Sequence, residues 1–322
     1  MTELTVVVTD HDFEDLGIER EVLDGVATVV DLHDEADGAD PGTDDRLSAA
    51  DAVLNLRAEL DADAIARLDD CRVIARYGVG VDNVAVDAAA DRGIPVTNVP
   101  DYCLEEVATH ALSMLLSLAR GLKRYDASVA AGEWDRGAAA PLHRFSTRTV
   151  GVVGYGAIGR EVGARAAALG ADVLASDPFL DPEDLADDPA TLTGFEDLCA
   201  RADAVTVHSP LTDDTRGLLD ADVFARLDDD AAVVNVARGP IVDVDDLHDA
   251  IAAGDLAGAG LDVFPEEPPA PGHPLRDHPR VVTTPHVAWY SEEAGADRRR
   301  RAAGIVRDAL TGGDVANVVN GV

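Results

Sequence analysis

Arg238, Glu267 and His286 are the side chains of this sequence whose types and placement could run a reaction on a carbonyl. A histidine titrates near neutrality and can give or take a proton. A carboxylate beside it would fix the ring tautomer and support the imidazolium. A guanidinium would grip a substrate carboxylate with its planar fork and polarise a carbonyl. Each residue alone has a plainer reading. A lone His is usually structural, a Glu in an acidic Pro-rich loop is usually solvated, and an Arg after a strand can cap a helix. Their shared placement sets them apart. With His208 and Asp262 they lie just past short apolar runs. In an open α/β sheet, ligands bind outside the carboxyl ends of the strands. Five residues of suitable type at such places predict a site.

A second constellation supplies the other half of the chemistry. Thr149-Val-Gly-Val-Val-Gly-Tyr-Gly-Ala-Ile-Gly-Arg160 reads as a buried strand, a glycine turn and a helix start. Gly154 permits the tight turn, Gly156 lets backbone approach a pyrophosphate, and Gly159 lets the helix pack near the strand. Free N–H groups at Ala157 and Ile158, with the positive helix end, would hold phosphates. Asp172 to Ser176 is a second strand, and Asp177 follows it, eighteen residues past Gly159. An acid there can take both ribose hydroxyls of an adenosine. It repels a 2′-phosphate, and Pro178-Phe179 offers no arginine to accept one, so NAD is favoured over NADP. The plainer alternative is a strand–turn–helix that binds nothing.

These residues need elements to hold them. Apolar runs at Leu4–Val8, Ala27–Leu32, Ala52–Leu56, Val73–Arg76 and Ile94–Thr97 read as strands. Asp63–Leu68 suggests a short helix, and His33–Asp45 an acidic loop. The first ~98 residues therefore predict a small parallel α/β domain. Within it, the Tyr77–Asn83 turn could hold a carboxylate on backbone N–H groups. Asn98–Asp101 reads as a hinge, and Tyr102 to about Ala131 as one long helix. Val107, Ala111, Met114, Leu115, Leu118 and Leu122 recur on it at helical spacing, giving a face broad enough for a second subunit. Gly132–Arg148 is irregular, with Trp134 a surface anchor or a local packing residue. The segment from Asp177 to Thr193 reads as an acidic loop with three prolines. Strands follow at Ala204–His208, Ala232–Val236, Ala259–Phe264 and Val281–Thr284, with helices at Phe195–Ala200, Val244–Ala253 and Glu292–Leu310. The last helix is expected to return to the first domain.

Composition bounds the rest. The 322 residues suggest two domains. Met-Thr-Glu-Leu-Thr leads straight into a strand-like run, no run is long enough to span a membrane, and Cys71, Cys103 and Cys199 are few and scattered. These features predict a protein of a reducing cytoplasm. Asp and Glu total 62 against 26 Lys and Arg, for a formal charge of −36, and Lys123 is the only lysine. Such self-repulsion disfavours a compact state in dilute salt, and molar salt shortens the Debye length to about 3 Å. The composition predicts adaptation to a salty cytoplasm. It argues against binding nucleic acid or anionic lipid, which need positive patches.

Three stretches resemble the signatures of the D-isomer-specific 2-hydroxyacid dehydrogenases: Asn235-Val-Ala-Arg-Gly-Pro-Ile-Val-Asp243, Gly260-Leu-Asp-Val-Phe-Pro-Glu-Glu-Pro268 and Thr283-Thr-Pro-His286. The Gly78–Asn83 turn and Asn98-Val-Pro100 are similar too, and the resemblance runs in order over nearly the whole chain. It implies catalytic roles for Arg238, Glu267 and His286, and Asp262 on the nicotinamide amide. It implies a cofactor lined by His208, Pro210 and Thr215, with Val236 and Ala237 beside Arg238, and the substrate carboxylate on the backbone around Gly78, Val79 and Gly80. Arg57, Tyr77, Tyr102 and Trp289 are further pocket candidates. The architecture implied is two Rossmann-like doubly wound parallel sheets. A cofactor domain, residues 99–288, is inserted into a smaller flavodoxin-like substrate domain, residues 1–98 with 289–322. The cofactor is NAD(H), no metal is expected, the substrate is a small 2-oxo or 2-hydroxy acid, and the assembly is a homodimer built on the cofactor domains. Val287-Ala-Trp-Tyr-Ser-Glu292 departs from the small glycines usual after the histidine. It is similar to the C-terminal binding protein subgroup, whose animal members are NAD-regulated corepressors. That similarity makes a dimeric NAD-regulated binding protein the competing expectation, and it places Trp289 on the substrate pocket, favouring an apolar or aromatic side chain. A relative acting on a one-carbon or inorganic donor is a third, without a specific feature to support it. Thr109 stands where an acid commonly follows Val-Ala.

Overall fold

A computed structural model describes residues 4–32 and 41–322. Two compact units emerge, Met1–Tyr102 with Ser291–Val322, and Cys103–Tyr290. In the first, the chain runs through β1 (Leu4–Val8), α1 (Gly17–Val22), β2 (Ala27–Asp31), β3 (Ala52–Asn55), α2 (Ala62–Ala66), β4 (Ile74–Arg76), α3 (Val86–Asp91) and β5 (Val96–Thr97). All five strands pair in parallel, in the order β2-β1-β3-β4-β5. Central strand β3 is buried on every residue, which is why it reads as a continuous apolar run rather than an alternating one. One face packs on Leu60, Ile65, Leu68 and Ile94 beside α2 and α3. The other packs on Ala302, Ile305, Val306 and Leu310 of the last helix of the chain, Glu292–Thr311. That helix begins where the Ser291 hydroxyl accepts the Ala294 N–H at 3.0 Å. It carries four consecutive arginines, so its own propensity does not dock it. The apolar stripe does, each large aliphatic residue contributing about 1.5–3 kcal/mol on burial. Ion pairs from Arg299 to Glu19 and from Arg298 to Asp12 add to it.

The second unit opens with α4 (Leu104–Arg120) and α5 (Leu122–Ala130). There follow β6 (Thr149–Val153), α6 (Ala157–Ala168), β7 (Asp172–Ser176), β8 (Ala190–Leu192) and α7 (Phe195–Cys199). It ends with β9 (Ala204–Val207), α8 (Ala221–Phe224), β10 (Ala232–Asn235), α9 (Val244–Ala253), β11 (Gly258–Leu261) and β12 (Val281–Thr283). The last helix of the first unit is then α10. The seven strands are all parallel, ordered β12-β11-β10-β9-β6-β7-β8. The chain moves outward from β6 to β7 and β8, then returns to β9 on the other side of β6. The crevice at the carboxyl ends of β6 and β9 is thus the topological switch point.

Two doubly wound parallel sheets were expected, and two are found. Local expectations fail in identifiable places. The long helix is two helices, because Gly121 adopts a left-handed φ of 61° that closes α4. Beyond the break the apolar stripe leaves the core, and Leu122 is 56% exposed. The acidic segment after Asp177 contains β8, a three-residue edge strand too short and too proline-flanked to show an apolar run. Helices α1, α3 and α8 were not anticipated; all are six residues or fewer. Of the expected acidic loop, residues 33–40 lie outside the described residues, and Pro41–Thr43 and Asp45–Ala49 form short 3-10 turns.

Candidate active site

The glycine turn after β6 has the local geometry that its sequence demands. Gly154 has a φ of 84°, and a Cβ on it would stand 2.6 Å from the Ser209 backbone nitrogen. Only glycine lets the loops after β6 and β9 lie this close. Helix α6 starts at Ala157 with no side-chain cap, and a Cβ at Gly156 would meet open space. An uncapped helix end beside a bare Cα fits a pyrophosphate. Asp177 closes the same turn. Its Oδ2 accepts the Tyr155 N–H at 2.9 Å and its Oδ1 the Phe179 N–H at 3.0 Å. Each oxygen keeps lone-pair capacity for a ribose hydroxyl. A Cβ at Gly159 would overlap the Gly154 carbonyl, so α6 lies tight on the turn.

Across the switch point, His208 follows β9 and its Nε2 lies 2.9 Å from the Thr206 hydroxyl. Desolvation pulls its pKa down to about 3, so the ring is neutral at physiological pH. The loop beyond it is pinned by Thr215, whose hydroxyl donates to the Pro210 carbonyl at 2.7 Å.

Arg238 ends the turn after β10. The Asn235 side chain shapes that turn, its Nδ2 donating to the Arg238 carbonyl at 2.9 Å and its Oδ1 accepting the Ala237 N–H at 3.0 Å. The next residue, Gly239, lies directly on the Phe264–Pro265 peptide. The Arg238 and Glu267 loops are therefore in backbone contact. Glu267 is fixed at one oxygen, Oε1 accepting the Phe264 N–H at 3.1 Å. Its other oxygen, Oε2, is 2.7 Å from His286 Nδ1. The imidazole and the carboxylate remain about one-third exposed, at 33% and 35% of their side-chain surfaces, so solvent or substrate can reach them.

His286 sits at φ 56°, in the left-handed region, a conformation that costs a non-glycine residue about 1–2 kcal/mol. The surroundings impose it. The His286 N–H donates to the Asp262 carbonyl at 2.8 Å, and its own carbonyl accepts the Trp289 indole N–H at 3.1 Å. Asp262 is 2% exposed, and its carboxylate accepts the Thr284 hydroxyl at 2.5 Å and the Val287 and Ala288 N–H groups at 2.9 Å each. Asp262 is thus the peg of the His286 turn, Oδ1 taking two donors of this chain and Oδ2 one.

The first unit holds the remaining expected residues. The Gly78 carbonyl accepts from Val99 N–H at 3.0 Å and the Val79 carbonyl from Asn98 Nδ2 at 2.6 Å, which fixes the Gly78–Gly80 turn. Arg57 is exposed, with its backbone N–H on Asp10 Oδ2 at 2.7 Å. Tyr102 packs, partly buried, against the first unit's core. Tyr77 is a correction. It was expected in the pocket but is fully buried, its hydroxyl donating to Glu19 Oε1 at 3.1 Å. An aromatic one residue past a strand end can equally be the last layer of the core.

Known proteins supply the context. Residues 112–288 match the family described as D-isomer specific 2-hydroxyacid dehydrogenase, NAD binding domain. The D-3-phosphoglycerate dehydrogenase of Mycobacterium leprae is 42% identical over 272 residues, 84% of this chain and 51% of that protein. The chain therefore spans about half the length of that curated relative. The glycerate dehydrogenase of Methylorubrum extorquens is 35% identical over 257 residues, 78% of this chain and 79% of that protein. The crystal structure of D-lactate dehydrogenase from Aquifex aeolicus, complexed with NAD and lactic acid, superposes with a TM-score of 0.89. That pair shares 25% identity over 99% of both chains. The uncapped glycine turn, the acid that closes it and these matches together place the chain in the D-isomer specific 2-hydroxyacid dehydrogenase family, with an NAD binding domain in its second unit.

Proposed function

We propose that the protein is an NAD-dependent D-2-hydroxyacid dehydrogenase that works as a reductase of small 2-oxoacids. The observation that carries this reading is the 2.7 Å contact between His286 Nδ1 and Glu267 Oε2, with Arg238 on a third loop whose Gly239 lies against the Glu267 loop. Arg238 binds the substrate carboxylate through its guanidinium fork and polarises the adjacent carbonyl. NADH, when bound, supplies the hydride that reduces the carbonyl carbon. His286 gives a proton to the carbonyl oxygen as that oxygen becomes a hydroxyl. Glu267 holds Nδ1–H, which leaves Nε2 as the nitrogen that exchanges the proton, and it stabilises the imidazolium before transfer. In the first unit, the Gly78–Gly80 turn and Arg57 are the proposed substrate residues, and Trp289 in the second is proposed to favour apolar or aromatic side chains.

The test is a panel of 2-oxoacids with NADH in molar KCl. His286→Gln should collapse turnover while NADH still binds; near-normal turnover sinks the assignment. Failure of the parent chain to oxidise NADH with every oxoacid would favour the NAD-regulated binding role instead. The curated relatives named above are dehydrogenases, which favours the enzyme.

The assembly proposed is a homodimer built on the second unit. Leu122, Val129 and Trp134 are 56%, 53% and 90% exposed on and after α5, and they are the apolar surface such a contact would cover. Among the described residues no helix is long and apolar enough to cross a membrane. The charge of −36 underlies a proposed adaptation to a salty cytoplasm. Equal unfolding temperatures in dilute buffer and molar KCl would remove that proposal.

A further inference from the structure

The turn that carries His286 is tied back to helix α4, and we infer that His110 is a positioning residue for His286, acting through Thr284 and Asp262. The inference rests on the reading of His286 as the proton donor. His110 Nε2 lies 3.0 Å from the Thr284 hydroxyl. That hydroxyl donates its one proton to Asp262 Oδ1 at 2.5 Å, so towards His110 it can only accept. His110 must then carry its proton on Nε2. Its distance to Asp262 Oδ1 is 3.9 Å, too long for a hydrogen bond, so the threonine is the relay. Asp262 in turn holds three successive amides. Its carbonyl takes the N–H of His286, and its carboxylate those of Val287 and Ala288.

The left-handed backbone of His286 is thus held by groups outside its own loop. Turn the Asp262 carboxylate, and the amides at 287 and 288 lose their acceptors together. The hydroxyl of Thr284 fixes that carboxylate's rotation, and the imidazole of His110 fixes the hydroxyl. Packing brings the imidazole there. Helix α4 crosses directly over Gly260, where a Cβ would stand 2.9 Å from the Met114 Cβ. Met114 lies one helical turn beyond His110, and helical side chains lean towards the N terminus, over the end of β11.

Four variants of the full chain decide the matter. His110→Phe and Thr284→Val cut the link; His110→Gln and Thr284→Ser keep a donor and a hydroxyl. The first pair should lower kcat about ten- to a hundredfold, the scale of a small misplacement of a reacting group. KM for the oxoacid and Kd for NADH should hold, and the second pair should restore kcat. The double variant His110→Phe/Thr284→Val should lose no more than the worse single variant, because one chain is broken twice. In the cofactor-free protein, NMR titration of the His286 imidazole should shift in the first pair and stay put in the second. Equal losses in Phe and Gln variants, additive losses, or an unmoved His286 titration would overturn the inference. If His286→Gln itself turns over normally, the enzymatic reading fails, yet the cofactor-free titration still decides the coupling.

Discussion

Gly239 lies flat on the Phe264–Pro265 peptide, so close that a Cβ on Gly239 would overlap the Phe264 carbonyl group. Arg238 precedes this contact by one residue, and Glu267 follows it by three on the other loop. The two strand ends are held in register by the absence of a side chain. Gly239→Ala must force them apart, with a stability loss of about 1–3 kcal/mol, the range for overpacking a closed interior. Turnover should fall further than stability does, since Arg238 and the Glu267–His286 pair separate as the loops part. Urea unfolding and kcat measured on the same variant check both; unchanged kcat at lowered stability would show that the contact serves folding alone.

Asp177 is the residue proposed to select between the two nicotinamide cofactors. Its carboxylate is tethered by the Tyr155 and Phe179 amides, so it cannot swing away from an incoming 2′-phosphate. Asp177→Ala should therefore raise KM for NADH and narrow the preference over NADPH. A double change adding an arginine at Phe179 should narrow it further, by supplying a fork for the phosphate. Kinetics with both cofactors give the answer. Equal kcat/KM for NADH and NADPH in the parent chain would show that Asp177 does not discriminate.

His208 gives a pH signature to stability. Its pKa in the folded chain is about 3, through desolvation, against roughly 6.5 in an unfolded chain. Above the unfolded value neither state holds the proton and nothing is lost. As pH falls below about 6.5 the unfolded chain binds a proton that the native chain refuses, and stability drops by up to about 1.4 kcal/mol per pH unit. The variant His208→Asn lacks this loss. Its stability relative to the parent should improve steadily from pH 6 to pH 4.5, in chemical unfolding at fixed salt (about 1 M). A flat difference would mean that the ring titrates normally.

The glycine turn, Asp177 and the ends of β9 to β12 were legible because each rests on local pattern: strands of three to five residues, then a residue of special type. The contacts that hold the site were not. His110 and Thr284 are 174 positions apart and meet only because α4 crosses the sheet at Gly260. The left-handed backbone of His286 left no trace either, since histidine, though enriched at positive φ, adopts it in only a small minority of positions. Tyr77 misled for the opposite reason. Its neighbours in sequence are loop-like glycines, while its neighbours in space are Phe13 and Glu19.

Glu19 is the most exposed to test of these long-range partners, though it is itself fully buried. Its carboxylate accepts Arg299 Nε and Nη2 at 2.9 and 2.7 Å and the Tyr77 hydroxyl at 3.1 Å. Arg299 also covers the Phe13 ring, its guanidinium carbon 4.2 Å from the centroid. Here α10 is fastened to α1 through a charge pair out of water. Removing one partner leaves the other charge buried, and such losses run to about 3–5 kcal/mol. Glu19→Ala should cost that much, and Tyr77→Phe far less, since the carboxylate keeps its arginine. Replacing both charges, as Glu19→Met/Arg299→Leu, should recover most of the loss, because a packed apolar pair needs no desolvation of ions. Urea unfolding followed by far-UV circular dichroism orders the three. A double variant as weak as Glu19→Ala would show that α10 is held by the pair's specific geometry and not merely by the absence of an unpaired charge.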